Sequence, residues 1–347
     1  MDKKPKRLTI NDLAKQSGVS ISTVSRVLNR KGNVSQETRA RVEEAIAALN
    51  FQPDQNARKL RGISSKLVAL IIPDILNVYY TSLSKEIENE LKKQGYTMLL
   101  GITKDDPDQL KEYLYSFSNI GIDGIIYTPP PSDSASPFVR SLSQLGIPII
   151  EINRRREKDL FDGVEVDNFG AVIQALEHLY SLGHRKISFI VGSQETTTGS
   201  QRLEGYQYFL NKKNLPYDPH IVKIGDFSRE FGEKATRDLL SASGEVRPTA
   251  IFPTSNRLLM GAMCILRDFD VKVPEDFSVI AMDDAEWLEV FEPSITTVDV
   301  AIEEMASLTV NLLMSKISDN EKMENPRTYS LSTSLKVRNS CKALITN

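Results

Sequence analysis

The sequence predicts two fold classes in series: an all-α helix-turn-helix headpiece, then a two-lobed α/β domain. Three observations carry this. Short capped helices flank a glycine turn within residues 9–29, and from Lys66 onward β-branched apolar runs alternate with amphipathic stretches. Charge is also unevenly spread: residues 1–62 hold 13 Lys/Arg against 6 Asp/Glu, so a head of +7 sits on a body of −10 in a chain of net −3. A small basic head on an acidic body is the footprint of a nucleic-acid-binding module joined to a domain with a different ligand.

At 347 residues, 40% hydrophobic and 26% charged, the chain is an ordinary globular protein with room for two or three domains. No apolar run reaches the roughly 18–20 residues that span a bilayer, and the basic start Met1–Arg7 is not followed by the apolar core of a signal peptide. Cys264 and Cys341 alone give neither a disulfide framework nor a thiolate zinc site. A reducing cytoplasm is expected, with no cofactor and no metal.

In TINDLAKQSGVSISTVSRVLN (9–29), Thr9 and Asp12 have capping-box spacing and start a helix near Ile10. Leu13 and Ala14 form its apolar face, and Gly18-Val19 makes the turn. Ser20 caps a second helix whose Val24, Val27 and Leu28 face inward. Ile21, Ser22, Ser25, Arg26 and Asn29 fall on the other side, where a recognition helix meets the major groove. A buried helix needs the apolar positions, but has no use for Ser, Arg and Asn opposite them. Ser35 begins a third helix with Val42, Ile46 and Leu49 as its stripe. Pro53 ends that helix, and Asp54–Gly62 forms a short segment with three cations and one large apolar side chain, Leu60. Too short to be stable alone, it suits a hinge that folds on DNA, with Leu60 as a minor-groove wedge. The DNA-contacting set is Thr9, Ser20, Ile21, Ser22, Thr23, Ser25, Arg26, Asn29 and Asn33, with Asn56, Ala57 and Leu60 in the hinge.

TINDLAKQSGVSISTVSRVLN, VSQETRARVEEAIAALNFQPDQNARKL and PDILNVYY together resemble the lactose/galactose repressor family over nearly the whole chain. The resemblance implies a headpiece over 1–52, a hinge over 53–64 and a periplasmic-binding-protein-like, ligand-binding and dimerising domain over 65–341. It also implies a homodimer on a double-stranded palindromic operator, and a small effector whose binding changes DNA affinity.

In the body, the runs 67–73, 96–102, 122–128, 147–153, 186–192, 250–254 and 278–284 read as strands. Helical stretches such as 82–95 and 171–183 lie between them, which means buried parallel sheets covered by helices. About 270 residues exceed one such core, hence two lobes with a cleft. Ligands bind outside the carboxyl ends of such strands. There lie Asp74, Tyr79 and Tyr80, Asn153-Arg154, Ser255-Asn256 and Asp283-Asp284, with Arg202 opening a helix and Phe227 in a loop. By resemblance, Arg202 and Asp283 hold a ligand's polar groups and Phe227, Tyr79 and Tyr80 supply stacking faces; Asp74, Asn153, Arg154 and Ser255 complete the effector set. For any one of these a loop cap or interdomain salt bridge is the alternative.

Two departures from the family bear on the ligand. Ser255-Asn256 stands where Asn-Asp is common, and Thr196 stands where purine-binding relatives carry a second arginine. A sugar-like effector is therefore expected ahead of a purine or nucleoside. The sole tryptophan, Trp287, four residues after Asp283, is expected to report closure of the lobes.

An enzyme is not expected: no phosphate loop or nucleophile elbow is present, and His178, His184 and His220 lack metal spacing. A sugar-binding receptor without a DNA role would account for the body but not the headpiece. The tail from Arg327 lacks leucine heptads, so the expected oligomer is a dimer.

Overall fold

Three helices make the headpiece: α1 (Ile10–Ser17), α2 (Ile21–Leu28) and α3 (Gln36–Leu49). The computed structural model describes residues 10–28, 34–49, 64–241, 247–318 and 325–344; Thr9, Asn29, Asn33 and the hinge residues Asn56, Ala57 and Leu60 lie outside them. Leu13, Val24 and Val42 are fully buried, with Ala14, Val27 and Ala45 completing the core. The expected stripe on α3 moves by one position: Ala45 is buried, while Ile46 and Leu49 are half-buried. Ser20 caps α2 as expected, its Oγ accepting from the Thr23 N–H at 3.2 Å, and Ser35 Oγ, at the expected start of the third helix, accepts from the Thr38 N–H at 3.3 Å. Gly18 takes φ +64°, the left-handed conformation that ends a helix most cheaply at glycine.

The headpiece and the body are separate compact units. The body's first sheet has the order β11-β5-β4-β3-β1-β2, all parallel. Its strands are β1 (Leu67–Ile72), β2 (Thr97–Ile102), β3 (Gly124–Tyr127), β4 (Ile149–Asn153), β5 (Asp162–Val166) and β11 (Thr328–Leu331). The second sheet runs β12-β10-β9-β8-β6-β7, parallel except that β12 is antiparallel to β10. Its strands are β6 (Ile187–Val191), β7 (Val222–Ile224), β8 (Ala250–Pro253), β9 (Ser278–Met282), β10 (Thr296–Val300) and β12 (Thr333–Lys336).

Helices cover both faces of each sheet, which is why the central strands read as unbroken apolar runs. In the first lobe, Val68, Leu70 and Ile72 face α4 (Val78–Lys93) and α11 (Ile302–Ser318). Ala69 and Ile71 face α5 (Pro107–Ile120) and α6 (Ser136–Gln144). In the second, Ile187, Phe189 and Val191 pack on α7 (Asn168–Ser181) and α8 (Thr197–Lys212). Ile190 and Ile251 pack on α9 (Arg229–Ser241) and α10 (Asn256–Asp268). The chain passes between lobes three times, at Asp167, Ala301 and Ser332. Two crossings are tied together, the Asp167 N–H donating to the Leu331 carbonyl at 2.9 Å.

Two expectations need correction. Arg202 does not open its helix: Thr196 caps α8, accepting from the Gly199 N–H at 3.1 Å, so Arg202 sits in the second turn. Trp287 lies in a short 3₁₀ turn against Phe291, ring centroids 5.4 Å apart, in an apolar groove of the second lobe and not in the cleft.

Candidate functional site

The carboxyl ends of β1, β2 and β4 in one lobe face those of β7, β8 and β9 in the other. Between them is a cavity of about 380 Å³, and all nine residues named from the sequence line it: Asp74, Tyr79, Tyr80, Asn153, Arg154, Arg202, Phe227, Ser255 and Asp283. The size falls within the usual range for small-ligand pockets.

Asn153 ends β4 and Asp283 directly follows β9, with φ +66° and +68°. Asn and Asp are the non-glycine types that tolerate this region, and the turn brings both into the cavity lining. Asn153 organises one wall, its Oδ1 accepting from the Tyr79 hydroxyl at 3.1 Å and its Nδ2 donating to the Tyr80 hydroxyl at 2.8 Å. The two rings meet edge to face at 5.1 Å. Burial, then the neighbouring Tyr80, pushes the Tyr79 hydroxyl well above its ordinary value, so it remains a proton donor.

Arg154 is buried and donates to both oxygens of Asp105, at 2.5 and 3.3 Å. From the second lobe, Arg202 donates from Nε to Asn168 Oδ1 at 2.8 Å and from Nη1 to the Thr254 carbonyl. Its Nη2 carries no hydrogen bond among the described residues. Burial lowers the Arg202 pKa against the opposing pull of Asp283, and burial raises that of Asp283 against the pull of Arg202. In both, desolvation outweighs mutual attraction; Asp283 keeps the Asn256 N–H and Arg202 its two hydrogen bonds, while Arg202 Nη2 has room for further polar contacts. Hydroxyl groups entering the cavity would supply them by charge-assisted hydrogen bonds.

Phe227 stands between the two arginines, its ring centre 5.7 Å from the Arg154 guanidinium carbon and 6.0 Å from that of Arg202. It lies against Gly192, where a Cβ would come within 2.3 Å of the ring; any side chain at 192 would displace Phe227 from this position.

Other named residues have structural tasks as well. Asp74 accepts from the Leu76 N–H at 2.8 Å and faces Arg257 across the cleft at 3.6 Å, making it both loop cap and interlobe ion pair. Ser255 caps α10. Asp284 belongs to the fold: burial works against it, but hydrogen bonds from Arg338, Lys336 and Thr297 hold its carboxyl below the usual range. Asn256 is 3% exposed, does not line the cavity, and has no side-chain hydrogen bond among the described residues.

Sequence reasoning missed Lys104, Asp105, Thr198, Asp226, Ser228 and Arg257 in the lining. The strand-end rule would have found Lys104-Asp105 after β2, but Asp-Asp-Pro-Asp reads as a turn. Among charged lining residues, Lys104, Arg154, Arg202 and Arg257 are matched in number by Asp74, Asp105, Asp226 and Asp283.

A helix-turn-helix headpiece on a two-lobed body with a polar cleft defines a class: DNA-binding regulators that carry their own ligand domain. The comparisons agree. Residues 9–54 match the model of the bacterial regulatory proteins of the lacI family, and residues 176–341 that of the periplasmic binding protein-like domain. The chain is 32% identical over 336 residues to the ribose operon repressor of Halalkalibacterium halodurans, covering 96% of this chain and 97% of that protein. It is 30% identical over 345 residues to the transcriptional repressor PurR of Haemophilus influenzae, with 97% and 99% covered. A solved complex of the transcriptional regulator CelR with cellobiose superposes with TM-score 0.70 at 29% identity, over 96% of this chain and 100% of that one. The chain belongs to the lacI family and is a DNA-binding transcription regulator.

Proposed function

We propose that this protein represses carbohydrate-utilisation genes by binding a palindromic operator as a homodimer, and that a small, uncharged, sugar-like effector in the interlobe cleft switches it. The observation that carries the effector class is the cavity lining itself: buried Arg202 and Asp283 beside the rings of Tyr79, Tyr80 and Phe227, with equal numbers of cations and anions. Such a lining suits a polyhydroxylated ring with one apolar face. Relatives named for ribose and cellobiose support the same reading. Against the purine alternative suggested by the PurR relative, the position expected to hold a second arginine is Thr196, a buried helix cap that does not line the cavity. The proposal assigns the chain no catalysis and places it in the cytoplasm with its DNA; among the described residues no helix is long and apolar enough to cross a membrane.

The test is selection of an operator from random duplexes, then mobility shift with monosaccharides, disaccharides, purines and nucleosides. A palindrome released or tightened by a saccharide supports the reading; response to a purine alone overturns the effector class.

On α2, Ile21, Ser22 and Arg26 are exposed, Ser25 and Thr23 half-buried. Arg26→Ala is expected to weaken operator binding by about 1–3 kcal/mol if Arg26 pairs with a base edge, and to relax preference at one position. A base-substitution scan identical to wild type would remove Arg26 from readout.

A single headpiece reads only a half-site. In support of a dimer, the second lobe presents Val290 at 83% exposure beside Phe291 and Trp287, at the edge of a groove of about 610 Å³ that also includes Met260 and Met263. We assign this face to the second copy. Val290→Asp is expected to shift sedimentation toward monomer and weaken operator binding at least tenfold; an unchanged dimer would place the interface elsewhere.

A further inference from the structure

The arginine that the first lobe contributes to the cleft stands on a buried framework outside the cavity. Glu151, on β4, has no exposed surface, and four donors converge on its carboxylate. They are Arg155 Nη1 at 2.8 Å, the Arg156 N–H at 2.9 Å, the Glu157 N–H at 3.0 Å and the Tyr127 hydroxyl at 2.9 Å. The Arg155 side chain is equally buried, and its Nη2 donates to the Phe161 carbonyl at 2.6 Å. It lies across Gly163, where a Cβ would fall 1.8 Å from Nη1; glycine alone leaves the space. A fully buried ion pair rarely stabilises a fold more than an apolar pair of similar volume. What these charges supply is direction, because every donor to Glu151 other than Tyr127 comes from residues 155–157.

That segment reaches both sides of the cleft. Arg154, just before it, lines the cavity. The Arg155 N–H donates across the lobes to Thr197 Oγ1 at 3.1 Å, and Arg156 Nη2 to the Glu195 carbonyl at 3.4 Å. Arg156 is braced on its own lobe by the carbonyls of Pro130 and Pro131. Thr197 is the first residue of α8, the helix that carries Thr198 and Arg202 into the cavity. We infer that Glu151 is the positioning residue of the effector site: by fixing residues 154–157 it sets Arg154 in the cavity and ties the first lobe to the first turn of α8. Arg154 and Arg202, from opposite lobes, are thereby held in one register. The inference rests on the cleft being the effector site, but its test needs no effector.

The test is hydrogen–deuterium exchange of the full chain without added ligand, for wild type, Tyr127→Phe, Thr197→Val and the double variant Glu151→Gln/Arg155→Met. Tyr127→Phe and the double variant are expected to speed exchange roughly five- to tenfold in both 154–157 and 193–200, as loss of about one net hydrogen bond or more implies. Thr197→Val should do so without loosening β3–β5. Faster exchange through β3–β5 with 193–200 at the wild-type rate would make Glu151 a purely structural residue and overturn the inference. If the double variant fails to fold, Tyr127→Phe, which keeps the ring and removes one donor, decides between these results. A saccharide panel without effect on the wild type would instead sink the cleft reading, leaving the exchange result in force.

Discussion

Asp283→Asn is expected to abolish the effector response while leaving operator binding without effector within a few-fold of wild type. Asparagine is the informative replacement because position 283 has φ +68°, which asparagine tolerates and alanine does not. Arg202 remains held by Asn168 and the Thr254 carbonyl, so the fold keeps its contacts while the ligand loses a charged acceptor. Losing a hydrogen bond to a charged acceptor costs about 1.5–3 kcal/mol, a loss of roughly tenfold or more in affinity, readable by calorimetry. If Asp283 were only a structural cap, thermal stability and DNA binding would fall together, and a surviving response with the wild-type midpoint would remove it from the site. The charge also sets a pH dependence. The groups acting on Asp283 are Arg202, Asp299 and the Asn256 N–H, and burial raises its pKa despite the first and last of these. An effector that hydrogen-bonds the carboxylate favours the ionised form, so affinity should rise with pH through that raised pKa and level off above it. In Asp283→Asn this slope should vanish.

Gly18→Val is expected to unfold the headpiece and leave the body intact. At φ +64° a β-branched residue is a true outlier. Its Cβ would lie 2.6 Å from Arg41 Nη2, which can swing away only by giving up its hydrogen bond to the Ser17 carbonyl at 2.8 Å. Backbone strain and that lost bond together come to about 2–3 kcal/mol. The headpiece core of Leu13, Ala14, Val24, Val27, Val42 and Ala45 is small, and units of this size have little stability in reserve. Operator binding should drop by more than tenfold, with the body's melting transition and its saccharide response unchanged. Full operator affinity in this variant would show that the turn accommodates a side chain.

The fold was legible where burial is symmetric. The runs at 67–73, 147–153 and 278–284 are covered by helices on both faces, so nearly every position is apolar and the strand announces itself. Five strands were not read. β5 carries Asp162 and Glu165, the former paired with Lys316 at 2.7 Å. β7 is three residues long, β10 is threonine-rich, and β11 and β12 lie at sheet edges where polar residues meet solvent. Pattern reading has no purchase on a strand whose polar side chain, like that of Asp162, is paired with a partner far away in sequence. The site was legible for the same geometric reason as the fold: strand carboxyl ends in parallel sheets converge. The Glu151–Arg155 framework escaped because Asn-Arg-Arg-Arg-Glu reads as a solvated charge run, and only the missing Cβ at Gly163 makes room to bury it.

The three passages at Asp167, Ala301 and Ser332 have a consequence for how the protein comes into being. Neither lobe is a contiguous stretch of chain: the first needs α11 and β11, which follow almost the whole of the second, and the second closes on β12 later still. During synthesis from the amino terminus, the headpiece can fold early, whereas the first lobe must wait with an open sheet edge at β5 until residue 331 has emerged. A nascent chain therefore has its headpiece well before its ligand-binding lobes, and the long-range pairing of β11 on β5 comes among its last folding steps.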